Sequence, residues 1–123
     1  MMNKKFNEYS YVVFRLIVGV LFLLHGLSKF GVLGGEAKPL MSLMGAAGVI
    51  EVVVGILLTL GAFVCIASSV AAIEMIVAYF MVHAPQGMNP LSNGGEPALL
   101  FFAAFLVLIA HGSGKLSVEK LWK

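Results

Sequence analysis

The stretch FRLIVGVLFLLHGLSKF, residues 14–30, decides the fold. It has the length and apolar character of a membrane helix, yet it carries Arg15, His25 and Lys29. At about 100° per residue, Gly19, Phe22, Gly26 and Lys29 all fall within roughly 40° of Arg15, and His25 within roughly 80°. The polar groups and two glycines therefore share one side. Leu16, Val20, Leu21, Leu24 and Leu27 form the other, which suits lipid or an apolar neighbour. A charge facing lipid at the centre of a helix costs at least ~2.5–3.5 kcal/mol. The ionisable side must turn inward, and the rest of the chain must supply its partners.

Composition points the same way. Of 123 residues, 60% are hydrophobic and 11% charged, and mean hydropathy is +1.00. Soluble domains carry about 25% charged residues, so these charges are too few to cover a water-facing surface. A net charge of +2 gives no basis for nucleic-acid binding. Cys65 is the single cysteine, which excludes an intrachain disulfide, a CxxC redox pair and an all-cysteine metal site. No metal site is expected.

These features predict an all-α protein, a four-span transmembrane helix bundle with antiparallel up-down topology, forming one domain over residues 1–123. The spans are expected near 11–30, 40–60, 64–83 and 96–111. Residues 1–10 read as a polar start to an uncleaved first span. Residues 31–39, rich in glycine and closed by Pro39, read as a loop. Gly61-Ala62-Phe63 is a tight link that makes spans two and three a hairpin. Residues 84–95, APQGMNPLSNGG, read as a loop. Pro97 fits the first turn of the last span. The tail from Lys115 is polar, with Trp122 as an interface anchor. Four spans leave both termini on one side, and Lys4, Lys5, Arg15, Lys115, Lys120 and Lys123 place that side in the cytoplasm.

A rise of about 1.5 Å per residue converts position into depth. Arg15 falls in the inner half, His25 and Lys29 in the outer half, and Glu51 and Glu74 near the middle. His83 and Glu96 reach the outer rim, beside Asn89 and Asn93. Two groupings follow. Glu51 and Glu74 lie within reach of Arg15 from below and His25 from above. His25, Lys29, His83 and Glu96 form an outer cluster that closes a cavity. Plainer readings stand beside these. Arg15 and Glu51 can be a purely structural pair. Lys29 can be a snorkelling anchor unless Glu96 pairs with it. His83 and His111 can be interface residues, and Cys65 a small apolar residue at a turn. His25 and His83 are the one histidine pair at similar depth on different helices, too weak a signal to expect haem. Glu74, a carboxylate alone at mid-span, is a functional candidate by default.

The chain resembles the DoxX family of small bacterial four-span membrane proteins from Arg15 to Glu119. The opening R-x3-G and HG-x2-K correspond to Arg15, Gly19, His25, Gly26 and Lys29. The second-span E-x3-G and LG correspond to Glu51, Gly55, Leu60 and Gly61. A polar loop with a glutamate is matched by Asn93 and Glu96. The closing G-x-G-x-x-S-x-D is matched by Gly112, Gly114 and Ser117, with Glu119 in place of the aspartate. The resemblance implies a bacterial inner-membrane protein beside the quinone pool, because relatives are linked to thiosulfate:quinone oxidoreductase subunits and to redox-stress complexes. The family's redox cysteine variants do not carry over, since Cys65 stands alone.

Three roles follow in order of preference. The first is a redox-associated subunit binding a quinone-like ligand among Arg15, His25, Lys29, Glu51, Glu74, His83 and Glu96. It needs a redox partner protein, and no catalytic residue is assigned. The second is a non-catalytic scaffold in a membrane complex. The third is a small proton-coupled transporter using Glu51 and Glu74, which would have to form homo-oligomers.

Overall fold

The computed structural model describes residues 3–31 and 42–122. Among these residues every regular element is helical: α1 Lys4–Ser28, α2 Leu43–Leu60, α3 Val64–Ala78, α4 Pro90–Asn93, α5 Glu96–His111 and α6 Glu119–Trp122. The expected loop at 31–39 and the start expected for the second helix lie almost wholly outside the described residues.

The helix ends follow local chemistry. Asn3 caps α1, its side chain accepting from the Lys5 amide at 2.7 Å. The polar start is therefore helical from Lys4, so the first helix begins ahead of the span expected near 11–30. Ser42 caps α2 by accepting from the Gly45 amide at 3.0 Å. Gly61, at φ 77°, ends α2 in the left-handed conformation that glycine adopts without strain. Phe63 is left-handed too, at φ 52°, an uncommon state for a side-chain-bearing residue. Beyond Ala78 the chain widens into a π turn over Tyr79–His83 and then tightens into a 3-10 turn over Ala84–Gln86. The expected loop at 84–95 thus contains ordered turns and the short α4.

The long helices pair off. α1 packs most extensively on α2, and α3 on α5. The first pair is backbone to backbone. A Cβ on Gly19 would lie 2.7 Å from the Thr59 nitrogen, one on Gly26 2.7 Å from the Val52 nitrogen, and one on Gly55 2.6 Å from Leu23 Cα. Those partners set an antiparallel register in which small residues permit contact that any side chain would block. The shared core contains Phe22, Val54, Leu58, Ala71, Phe105 and Leu108.

Polar and apolar sides are arranged inside out. Arg15 is 1% exposed and Glu51 2%. Leu16, Val20, Leu21 and Leu24 are exposed, as are Val49, Val53 and Ile56 on α2 and Ile66, Val70 and Ile73 on α3. An apolar outer surface of this extent matches a bilayer better than water. Two helical runs have the length and hydropathy to cross a membrane, Lys4–Ser28 and Val64–Gln86, with 25 and 23 residues. Met44–Leu60 and Glu96–His111 are apolar but shorter. At about 1.5 Å per residue they reach roughly 24–26 Å, below the ~30 Å hydrocarbon thickness.

Candidate functional site: a polar cavity between the helices

The cavity lies among α1, α2, α3 and the start of α5, with a volume of about 320 Å³. Lys29, Glu51, Glu74, His25 and His83 all line it. Lys29 Nζ donates to Glu51 Oε1 at 2.8 Å, and the Glu51 side chain is almost wholly enclosed. Both carboxyl oxygens of Glu74 are shut off from solvent and have no hydrogen-bond partner. Glu74 nevertheless stands against Glu51, close enough for the two carboxyls to share a proton in a hydrogen bond, and within electrostatic reach of Lys29. The cavity thus holds two acidic groups, one matched cation and one acid with unused hydrogen-bonding capacity.

The floor is aromatic. Phe22 lies 5.2 Å from Phe101 and 4.8 Å from Phe105, ring centre to ring centre. His25 stands edge-on to Phe101 at 5.3 Å. Met44 and Met75 complete the apolar wall with polarisable side chains. Flat rings and thioethers facing acids and bases suit a planar ligand with polar edges.

The rim is built around Asn93, which is buried. Its amide nitrogen donates to the Gly87 carbonyl at 2.8 Å and to the Tyr79 hydroxyl at 3.2 Å. Its side-chain oxygen accepts from the Gly95 amide at 2.7 Å. Its backbone carbonyl meets His83 Nδ1 at 3.1 Å. Asn93 therefore fixes the loop and orients the His83 ring. The π turn that carries Tyr79 and His83 widens α3 at this level. Such turns recur at functional sites.

Two of the sequence-selected residues lie elsewhere. Glu96 is exposed at the first position of α5 and does not line the cavity. Arg15 does not reach Glu51. Its Nε donates to the Leu58 carbonyl at 2.9 Å, one terminal nitrogen to the Leu116 carbonyl at 2.8 Å, and the other to the Ser113 carbonyl. The pairing expected between Arg15 and Glu51 is corrected by axial position. In the antiparallel register Glu51 stands level with Leu27, roughly 18 Å along the helix from Arg15. Lys29 is about half a turn, roughly 3 Å, from that level and takes the role. The alternative pairing of Lys29 with Glu96 is likewise replaced by Glu51.

Arg15 instead anchors a latch. The Tyr11 hydroxyl donates to the Gly112 carbonyl. Gly112 and Gly114 take positive φ, 76° and 82°, which lets the chain double back. The Val118 amide donates to the Leu60 carbonyl at 2.9 Å, and the Glu119 amide to the Gly61 carbonyl at 3.2 Å. Glu119 Oε1 accepts from the Val64 amide at 2.8 Å, so it caps α3. The closing motif is thus a clasp across the α2–α3 turn. Tyr79 and the aromatic floor escaped the reading of the sequence. The signal available for Tyr79 was a lone hydroxyl-bearing ring one helical turn before His83.

Helices with apolar exteriors around a buried polar centre define an integral membrane protein. The DoxX family model matches residues 10–84. An uncharacterized protein of Haemophilus influenzae is 36% identical over 94% of this chain and 92% of its own length. A second uncharacterized protein of that organism is 33% identical over 59% of this chain and 48% of its own length. The chain belongs to the DoxX family. No solved structure matches.

Proposed function

We propose that this DoxX-family membrane protein is a redox-associated subunit that holds a quinone-like ring in the cavity beside Glu74. The observation that carries this reading is a carboxyl group with both oxygens shut off from solvent, beside Glu51, on a residue that lines a partly open cavity of about 320 Å³. That volume lies at the lower end of the range for small-molecule sites, about 300–1,000 Å³, and fits a single ring.

The site residues have distinct roles. Lys29 and the His25 ring donate hydrogen bonds to ring carbonyl oxygens, while His83, its Nδ1 donating to the Asn93 carbonyl, offers Nε2 as acceptor to a ring hydroxyl in the reduced form. Glu74 accepts from, or donates to, a ring oxygen according to its protonation. Phe22 and Phe101, which touch each other, form one aromatic wall against the flat face. Glu51 holds Lys29 in position. Arg15 and Glu96, outside the cavity, take no part in binding. The side chains move protons only, so a partner protein supplies or takes the electrons.

In this reading residues 1–123 form one domain in the bacterial inner membrane. α1, α2, the α3 run and α5 cross in up-down order, and both termini are cytoplasmic. The bilayer thins locally around the two shorter helices.

The test is ligand-dependent thermal stability of the detergent-purified protein. Quinone at about 100 times its Kd should stabilise it by about 2.7 kcal/mol. Glu74→Gln should weaken that effect. No shift with any quinone would sink the proposal.

A second reading, a non-catalytic scaffold subunit, is favoured by the clasp at Arg15, which serves structure alone. It predicts that a fixed partner co-purifies and that variants at Glu74 leave the complex unchanged.

A further inference from the structure

The charges around the cavity do not balance. Two carboxyl groups, Glu51 on α2 and Glu74 on α3, line it together with one ammonium, Lys29 at the end of α1. Lys29 Nζ meets Glu51 Oε1 at 2.8 Å, so those two charges cancel. Glu74 is left over. Both its carboxyl oxygens are closed to solvent, and the charged groups that act on it are Glu51 and Lys29. His25 on α1 and His83 on the π turn complete the titratable lining, while α5 contributes Pro97, Ala98 and Phe101, which carry no charge. His83 Nδ1 is already engaged by the Asn93 carbonyl.

An ionised carboxyl in these surroundings needs a positive counterpart, because an unmatched charge away from water is costly. A proton shared between Glu51 and Glu74 is one such counterpart. The other walls accommodate a different one. Phe22 and Phe101 line the cavity with ring centres 5.2 Å apart, and an aromatic face attracts a cation most where water is excluded. Met44 and Met75 add polarisable thioethers. A hydrated metal ion would find too few ligands to replace its water shell. Among the described residues, no three His, Cys, Asp or Glu side chains are grouped to hold one. The lining suits a cation with little water to lose, such as a quaternary ammonium, with its methyl groups on the rings and its charge toward Glu74.

We propose that the cavity also binds a weakly hydrated organic monocation in exchange for one proton, with Glu74 as the counter-ion. The exchange balances: the cation enters, the proton shared by Glu51 and Glu74 leaves to solvent, and the net charge of the cavity is unchanged. The carboxyl O–H is the one covalent bond broken. Lys29 sets the stoichiometry. It keeps Glu51 matched, so a single positive charge is admitted and a dication is one charge too many. A volume of about 320 Å³ restricts the occupant to about the size of one substituted ring. This function goes beyond the quinone reading and does not depend on it.

The experiment titrates phenyltrimethylammonium into the full-length protein in a non-ionic detergent. Calorimetry in buffers of different ionisation enthalpy counts the protons released. Dimethylaniline, an uncharged ring one methyl smaller, is the control. The cation should bind at least about tenfold more tightly than dimethylaniline. It should release about one proton, and its Kd should fall as pH rises, because the proton competes with it. Glu74→Gln keeps the size of the side chain and removes its charge. It should weaken the cation at least about tenfold, release no proton and leave dimethylaniline within about twofold of wild type. Phe101→Leu, which leaves both carboxyls in place, should weaken the cation about fivefold with the proton count unchanged. Equal affinity for the two probes, binding without proton release, or cation affinity unchanged in both variants would each overturn the exchange. Stabilisation of the same preparation by a quinone would then leave the ring site standing. Failure of both the cation and every quinone to bind would overturn the two readings together.

Discussion

Lys29 Nζ and Glu51 Oε1 meet at 2.8 Å across the α1–α2 contact, with the carboxylate side chain 3% exposed and the ammonium side chain 18%. Breaking a buried pair from one side strands the other charge, and that costs more than the pair itself contributes. Lys29→Met should therefore destabilise the protein by about 3 kcal/mol. Lys29→Met combined with Glu51→Leu should recover most of the loss. Unfolding in one detergent, with both singles and the double, checks this. A double variant worse than either single would contradict it.

Glu74 presents the opposite case. Its carboxyl oxygens are buried without a partner, so the folded state carries a desolvation cost. Glu74→Leu should raise stability by about 1–3 kcal/mol while abolishing quinone-dependent stabilisation. Gain of stability with loss of binding is the signature of a site held at the expense of the fold. A destabilised Glu74→Leu would assign this residue to structure instead.

Gly55 tests the helix contact. In a free helix, glycine to alanine is favourable by about 0.8–1 kcal/mol. Here the added Cβ would stand 2.6 Å from Leu23 Cα and nitrogen, where backbone cannot yield as a side chain can. Gly55→Ala should therefore lose about 1–3 kcal/mol net. The sign is the test, and thermal unfolding reads it.

The clasp predicts a local effect. Arg15→Lys keeps the charge but not the planar fork that reaches three carbonyls. Each charged hydrogen bond lost costs about 1.5–3 kcal/mol. Hydrogen exchange should accelerate at the Val118 and Glu119 amides, which bond to Leu60 and Gly61. Exchange at Gly95, held by Asn93 at the opposite rim, should not change. Uniform acceleration would argue against a local latch.

Much of this was legible from the sequence. The helical period placed Arg15, Gly19, Phe22 and Gly26 on one side of α1, and all four are buried. The leucine side is largely exposed. Gly61 marked the end of α2, and Pro97 the first turn of α5. The first helix ran longer than expected, because Asn3 caps a polar turn that packing-free reasoning assigns to a tail. Membership of the DoxX family was readable from scattered motifs, although their physical meaning was not. Gly112, Gly114, Ser117 and Glu119 looked like a signature and turn out to be a clasp.

The amino-acid order alone determined which residues could not face lipid, since burial of charge depends on type and angular position. It could not determine which charge meets which. Angular position repeats every turn, whereas pairing depends on how far one helix slides along another. Contacts at Gly19, Gly26 and Gly55 set that slide, bringing Lys29 to Glu51 and leaving Arg15 at the far end. The cavity arises only when four helices are assembled, because each wall belongs to a different part of the chain.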